Sequence, residues 1–471
     1  MLVLALESST SSAKVMLYDS DLGIVDVVSS EYDSLISKGN IADTEGVFRL
    51  TMELGKRLAS GREIAAIAVC GTWHSIAICD KKLNPVQGTY YWNYMEPAES
   101  CLKIRKNIEM TNELYTRTGC MPHVTYMRQA MLYLKENGLS FEDKLLISQG
   151  AYNFYKLTDE YCESRATVSG AGLLNIHELE YDDYVLDLLG IGKDQLGRLV
   201  SRDDIVPLSK EGADFLNLSA GIPVVPAHPD GALNQYICDY NPRNMSLSVG
   251  TSGALRMNTE QPVLPESHAL WCYYGVDSRI SGAATAGACN CINWFVRKYV
   301  DDNWNFDQLE QTEDIEKKAP IFLPFLFGER CPGWNDDRRA AFFDIDDSHS
   351  IKDTYRAVQA GIVFNLFQCY NELKKVNGEA NKIVLSGGIL NSESWTQMLA
   401  DIFEVEIACM ETIDASTLGA AALALQAAGE SEKADKMREN NILTAKTILP
   451  RPGLSSYYKE QYDRYLYYYS K

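Results

Sequence analysis

The sequence lacks several features that would settle its class at once. It has no CxxC pair. Its twelve cysteines are scattered, and the nearest two are Cys289 and Cys291. Scattered thiols in a chain of 471 residues exclude a disulfide scaffold and read as reduced, which predicts a cytoplasmic protein. No stretch approaches eighteen consecutive apolar residues, and the opening "MLVLALESSTSS" has no basic flank, so neither a membrane span nor a secretory leader is expected. Positive charge is short: 44 Lys and Arg stand against 64 Asp and Glu, a formal charge of −20. That balance argues against nucleic acid or an anionic membrane as the main partner, because both need a basic face. It leaves room for a small anionic substrate held by a few local cations. Neither GxxxxGK[ST] nor GxGxxG occurs, which removes the P-loop and the dinucleotide fingerprint.

What is present is ordinary in bulk and repetitive in detail. At 46% hydrophobic and 23% charged residues, a chain this long has material for two to four domains with sizeable cores. "STSSAKVM" (Ser9 to Met16) returns as "GTSGALRM" (Gly250 to Met257), with Thr, Ser, Ala and Met in the same places. Around each copy the pattern is similar. "LVLALE", "AKVMLYD" and "GIVDVVSS" read as three strands, followed by a helix from Thr44 to Ser60 and the strands "IAAIAVC" and "SIAICD". "MSLSVG", "GALRMNT" and "HALWCYYGV" restart the strands. "CINWFVRKYV" and "IKDTYRAVQAGIVFNLFQCYNELKKV" read as helices, "KIVLSGG" as a buried strand, and "SESWTQMLADIFE" and "STLGAAALALQAA" as helices around the strand "VEIACME". A duplicated α/β unit with a cleft between its halves would bring the two hydroxyl-rich turns face to face.

Turns rich in Gly, Ser and Thr offer backbone N–H groups and hydroxyls, the donors that phosphate oxygens accept from. One such turn is an ordinary hairpin; a facing pair suits a polyphosphate. Phosphoryl transfer also needs a base beside the acceptor hydroxyl. Asp230, in "PVVPAHPDGALNQY", follows an apolar strand and precedes a glycine and a helix, so it stands either in a cleft or as a helix N-cap. His228 could tune it or simply pack. In the tail, Tyr458, Tyr462, Tyr465 and Tyr469 recur at helical spacing and read as a packing stripe.

In order along the chain, "LESSTSSAKVMLYD", "GTWHSIAICD", "YYWN", "PVVPAHPDGA", "SVGTSGALR", "LPFLFGERCPGW", "LSGGILNSESWTQMLADIF" and "STLGAAALA" resemble the FGGY family of carbohydrate kinases, from about Leu2 to Ala428. The resemblance implies two ribonuclease-H-like domains of the actin and hexokinase type around an interdomain cleft, here 1–242 for the sugar and 243–471 for the nucleotide. It implies ATP and Mg²⁺, and a sugar, polyol or sugar acid as acceptor. Ser9, Thr10, Ser11 and Ser12, with Lys14 beyond, correspond to the first phosphate loop, and Gly250, Thr251, Ser252 and Gly253 to the second. Gly387, Gly388 and Asn391 fall in the adenosine segment. Asp230 falls at the catalytic base, beside substrate and metal. His74, Trp92, Asn93 and Arg256 fall on the sugar side. The "GERCPGW" signature is read as structural.

The departures lie in the metal-side loop and the sugar pocket. Glu7 stands where the family has Asp, an acid that helps hold Mg²⁺, and Ser9 stands where it has Gly. The family's W-x-D-x-R is here Trp92, Asn93, Tyr94, Met95 and Glu96. "GTSGALR" and "RTGCMPH" look most like the gluconate kinase branch. A sugar acid needs a cation for its carboxylate, with Arg256, Arg117, His123 and Arg128 as candidates. The competing reading is a non-catalytic ATP- or sugar-binding relative, against which the retained Asp230 counts. An actin-like activase is disfavoured by the missing cysteine pair. The sequence leaves a homodimer open.

Overall fold

The run Leu2–Ser8 forms strand β1, buried from Val3 onward, and its unbroken apolar character reflects cover on both faces. In this computed structural model, which describes residues 1–238, 243–300, 306–310, 319–410, 414–443 and 446–471, β1 pairs antiparallel with β2 (Ser12–Asp19), and β2 with β3 (Gly23–Glu31). Helix α1 (Thr44–Ala59) starts where Asp43 accepts from the Glu45 N–H. It returns the chain so that β4 (Ile64–Gly71) lies parallel to β1. Strand β5 (Pro223–Pro229) lies parallel to β4, and helix α2 (Asp230–Cys238) begins directly at its end. With the edge strand Val206–Pro207, the sheet order is edge–β5–β4–β1–β2–β3.

The second half repeats this plan. Strands β6 (Asn244–Val249), β7 (Gly253–Thr259), β8 (Trp271–Tyr274) and β9 (Arg279–Thr285) are antiparallel neighbours. After the long helix α3 (Ile351–Asn377), β10 (Lys382–Ser386) runs parallel to β6, and β11 (Ile407–Cys409) parallel to β10. Helix α4 (Ala415–Ala427) precedes β12 (Lys446–Ile448), which closes the order β8–β9–β7–β6–β10–β11–β12. The duplicated ribonuclease-H-like topology is therefore present, with both hydroxyl-rich turns joining the first two strands of their sheets. One strand of this sheet is absent from the sequence reading. The strand beside β7 is β9, not the "HALWCYYGV" segment, whose β8 sits at the edge. The small residues of β9 (RISGAAT) give little alternating signal. The expected division after residue 242 falls at 239–242, outside the described residues.

Small residues set how the halves meet. In the first sheet Leu4, Leu6, Ile67 and Val69 pack toward α1, while Val3, Ala5, Ala66 and Ala68 share a core with α4. Helix α4 is apolar all round, as a helix enclosed on every side must be. Its alanines and Gly419 allow close approach: a Cβ on Gly419 would lie 2.4 Å from the Leu233 carbonyl oxygen of α2. A helix from the end of the chain thus packs on the sheet from its beginning. The tail helix α5 (Ser455–Tyr469) lays its tyrosine stripe on α3, Tyr462 against Phe364 and Phe367, Tyr465 against Phe364.

Candidate functional site

The first turn is stapled from inside. Ser9 Oγ donates to the Ser12 carbonyl (2.9 Å) and accepts from the Ser12 N–H (3.2 Å), so the serine that replaces glycine closes the turn. Thr10 and Ser11 remain toward solvent, and Trp92 Nε1 donates to Thr10 Oγ1 at 3.0 Å. The second turn is held by the next helix: Cys289 N–H donates to the Gly250 carbonyl (2.9 Å) and Asn290 N–H to that of Thr251 (3.3 Å). A Cβ on Gly250 would meet nothing, so that side of the turn is open. Beside it lies a cavity of about 510 Å³ lined by Gly387, Gly388, Leu390, Asn391, Met410 and Lys446. Gly387 has φ +99°, and a Cβ there would lie 2.5 Å from the Val249 carbonyl, which ends the strand leading into the turn. Cavity and turn are therefore adjoining surfaces.

A second cavity, of about 140 Å³, contains Ser252 and Gly253 of that turn together with Asp230, His74, Trp92 and Arg256. Asp230 stands at the junction of β5 and α2, where Oδ1 accepts the Gly231 N–H at 2.7 Å. Burial raises its carboxyl, opposed by that N–H and by the Arg256 charge. His74 Nδ1 donates to the Gly170 carbonyl at 2.7 Å, which leaves Nε2 as an acceptor; burial, with Arg330 adding, holds the imidazole down to about 3, so it is neutral. Trp73 forms a wall, its Nε1 donating to the Ala166 carbonyl at 2.8 Å. Two glycines make room for that ring. A Cβ on Gly170 would lie 2.2 Å from it and one on Gly231 2.4 Å.

Glu7, opposite Lys14 in the β1–β2 register, accepts from Ser416 Oγ at 3.0 Å. Burial raises its carboxyl to about 7, Lys14 opposing and Asp230 and Asp414 adding. Lys14 is paired with Asp414, which precedes α4 without capping it. The buried Glu7 and the half-buried Asp230, beside the hydroxyl-rich turns, are of the type that suits Mg²⁺, which binds one or two protein carboxylates plus phosphate and water.

The structure does not bring every candidate to this cavity. Asn93 does not line it. Arg128 bonds to Thr118 Oγ1 (3.0 Å) and to the carbonyls of Cys120 (3.1 Å) and Gly172 (3.3 Å), and is a packing residue. Arg117 pairs with Asp182 at 2.9 Å. His228 Nδ1 donates to the Pro226 carbonyl at 2.8 Å. His123 Nε2 faces Asp336 at 3.4 Å. Arg330, inside the "GERCPGW" signature read as structural, does line the cavity. A larger depression of about 670 Å³ shares no residue with the turns, and its Lys81 and Lys135 are engaged by Asp143 and the Leu188 carbonyl.

Asp336 bridges the halves, pairing with Arg105 as well as His123. Burial pushes its carboxyl up, but the His123 hydrogen bond and the Arg105 charge outweigh that and hold it at about 2. Because it is depressed, its stabilisation is complete above the unfolded value of about 3.9 and lost as pH falls through about 2. Asp336→Asn is expected to cost about 1–2 kcal/mol at pH 7. Thermal unfolding from pH 7 to 3 checks this: the gap from the unmutated protein narrows below pH 4, and a gap that widens there contradicts it.

Two family models match the chain: the FGGY family of carbohydrate kinases, N-terminal domain, over residues 2–235, and the C-terminal domain of the same family over 245–428. A gluconokinase of Bacillus subtilis is 26% identical over 466 residues, 93% of this chain and 90% of that protein. A xylulose kinase of the same organism is 23% identical over 479 residues, 98% and 95%. Among solved structures, a gluconate kinase from Lactobacillus acidophilus superposes with a TM-score of 0.92 at 26% identity, covering 100% of this chain and 98% of that one. A Plasmodium falciparum glycerol kinase with ADP superposes with a TM-score of 0.88 at 17% identity, covering 99% and 98%. Among the described residues, no helix is long and apolar enough to cross a membrane.

Proposed function

Because the chain belongs to the FGGY family of carbohydrate kinases, whose phosphoryl donor is ATP with Mg²⁺, we propose that its acceptor is a sugar acid of the gluconate type, with Asp230 as the base. The observation that carries this reading is a cavity holding one catalytic-type carboxylate and two guanidinium groups, those of Arg256 and Arg330, beside the second hydroxyl-rich turn. Two cations in one small cavity of a chain with formal charge −20 match an anionic acceptor better than a neutral one. The names of two relatives, gluconokinase and gluconate kinase, point the same way.

In this reading residues 1–242 mainly bind the sugar and 243–471 the nucleotide. The adenosine lies along Gly387, Gly388 and Asn391, and the phosphates run between Ser9–Ser12 and Gly250–Gly253. Lys14 turns from Asp414 toward them. Trp73 and Trp92 offer ring faces to the sugar, and His74 Nε2 accepts from one of its hydroxyls. Asp230 takes the proton of the acceptor hydroxyl as the new O–P bond forms and the β–γ bridging bond breaks, releasing ADP. Glu7 and Asp230 would hold Mg²⁺, which supplies charge neutralisation at the phosphates. Closure of the two halves keeps water from the phosphoryl group.

The test is ADP release by the purified protein with MgATP across neutral sugars, polyols and sugar acids. Turnover greatest with an aldonate supports the reading; turnover confined to neutral acceptors overturns its sugar-acid part. For the metal side, Glu7→Ala is expected to raise the Mg²⁺ concentration for half-maximal rate about tenfold, the effect of one lost charged ligand. An unchanged Mg²⁺ titration removes Glu7 from that role.

A further inference from the structure

The two guanidinium groups in the cavity are not in the same electrostatic situation. Arg256 lies against the start of α2: its Nη2 would be 3.3 Å from a Cβ on Gly231, and Asp230 and Arg256 stabilise each other's charged forms. Asp230 is thus the carboxylate whose charge it feels, although the Arg256 guanidinium makes no ion pair among the described residues and its Nε and Nη1 are buried without an acceptor. Arg330 has no such neighbour. Its guanidinium makes no hydrogen bond and no ion pair among the described residues, and its Nε is buried without an acceptor. Asp230, the carboxylate lining the cavity, is coupled to Arg256 and not to Arg330, His74 and His123 are neutral, and Trp73, Trp271 and Tyr273 are aromatic. An unanswered cation beside a small cavity is costly, and a ligand with negative charge removes that cost.

The loop that carries Arg330 is fixed on both sides of it. Before it in the chain, Glu329 is buried and accepts from Tyr469 Oη at the end of α5 (2.6 Å) and from the Gly333 N–H (3.1 Å). The Arg338 guanidinium caps the arrangement, 3.9 Å from the Tyr469 ring centre. After it, Trp334 Nε1 donates to the His268 carbonyl at 2.8 Å, its ring packs edge-on to His123, and Asp336 is held by Arg105. A side chain on an anchored loop is already placed when the ligand arrives, so little ordering entropy opposes binding.

We infer that Arg330 is the specificity-determining residue that receives the acceptor's carboxylate, leaving Arg256 to Asp230. The planar guanidinium matches a carboxylate through paired N–H donors, which a neutral hydroxymethyl group cannot equal. The assignment rests on the reading of the chain as a sugar-acid kinase. It also makes the substrate a bridge: the N-terminal half supplies His74 and Trp73, and the C-terminal half supplies the cation, so a carboxylate-bearing acceptor favours closure of the cleft.

The same anionic chemistry belongs to the transferred phosphoryl group, and the experiment separates the two. Steady-state kinetics with MgATP are measured for gluconate and for a neutral polyol of equal length, on the unmutated protein, Arg330→Gln and Arg330→Lys, with thermal unfolding to verify folding. The expected result for Arg330→Gln is a KM for gluconate raised about 10- to 100-fold, a kcat changed far less, and a gluconate-to-polyol preference reduced by the same factor, with partial recovery in Arg330→Lys. An equal fall in kcat for both acceptors assigns Arg330 to the phosphoryl group and overturns the inference, as does unchanged preference. An unmutated protein active only on neutral acceptors overturns the sugar-acid reading itself, a separate outcome read before any variant. If nothing turns over, calorimetric titration of gluconate in the presence of MgADP decides. Binding lost in Arg330→Gln supports the assignment, equal binding overturns it, and no binding to the unmutated protein overturns the reading beneath it.

Discussion

Replacing Asp230 by Asn is expected to lower kcat by about 10³- to 10⁴-fold while both KM values stay within about threefold. The substitution is nearly isosteric. The Asn oxygen can keep the 2.7 Å hydrogen bond from the Gly231 N–H that fixes Oδ1, so the first turn of α2 has no reason to move. What disappears is the ability to take a proton, and the charge that Arg256 answers. Burial raises the Asp230 carboxyl from its ordinary value, which makes it a stronger base than a solvent-exposed aspartate. Initial rates of ADP release, with nucleotide and acceptor affinities measured by calorimetry, give the answer. A variant within tenfold of the unmutated kcat excludes Asp230 as the base. Large losses of affinity at unchanged kcat make it a binding residue instead.

What the sequence discloses about this site follows from how local each signal is. The turns at Ser9–Ser12 and Gly250–Gly253 are legible because turn composition and the flanking strand patterns lie within a dozen residues. Asp230 is legible because a buried strand, a Pro and a Gly mark the end of β5. The second sheet is harder to read where β8 and β9 compete for the place beside β7, since the pairing that decides it is not local. Arg330 is the clearest omission. Its loop looks structural in sequence because Gly328, Pro332 and Gly333 dominate it. Only the fold brings its guanidinium to His74 and Trp73, more than two hundred positions earlier in the chain. The same distance hides the pairing of Lys14 with Asp414, and that of Glu329 with Tyr469. Arg117 and Arg128 fail in the opposite sense. As residue types they suit a carboxylate, but Asp182 holds Arg117, and Thr118 with two carbonyls holds both terminal nitrogens of Arg128.

Gly231→Ala, a single methyl group, is expected to reduce kcat/KM by about 100- to 1,000-fold in a protein that still folds. The added Cβ would lie 2.4 Å from Trp73 Cζ3 and 2.5 Å from Cε3, far inside any tolerable contact. The ring cannot retreat, because Gly170 already touches its other part and its Nε1 is tied to the Ala166 carbonyl at 2.8 Å. Either the indole tilts into the cavity, or the first turn of α2 shifts and carries Asp230 with it. A displacement of about 1 Å at the reacting groups is enough for roughly a hundredfold loss, and obstruction of a cavity of about 140 Å³ adds to it. Folding is spared by comparison, because Ala suits a helix better than Gly and the severe clash is confined to the Trp73 ring, with Arg256 Nη2 at 3.3 Å the next nearest atom. The comparison that discriminates is Gly231→Ala beside Gly170→Ala, which presses the same ring from the other side without touching α2. If tilting of Trp73 is the cause, both lower kcat/KM, and both change the tryptophan fluorescence response to the acceptor. If displacement of Asp230 is the cause, only Gly231→Ala lowers kcat. Full activity in Gly231→Ala, with an unshifted melting transition, would show that the slot between the two glycines is not what fixes the indole.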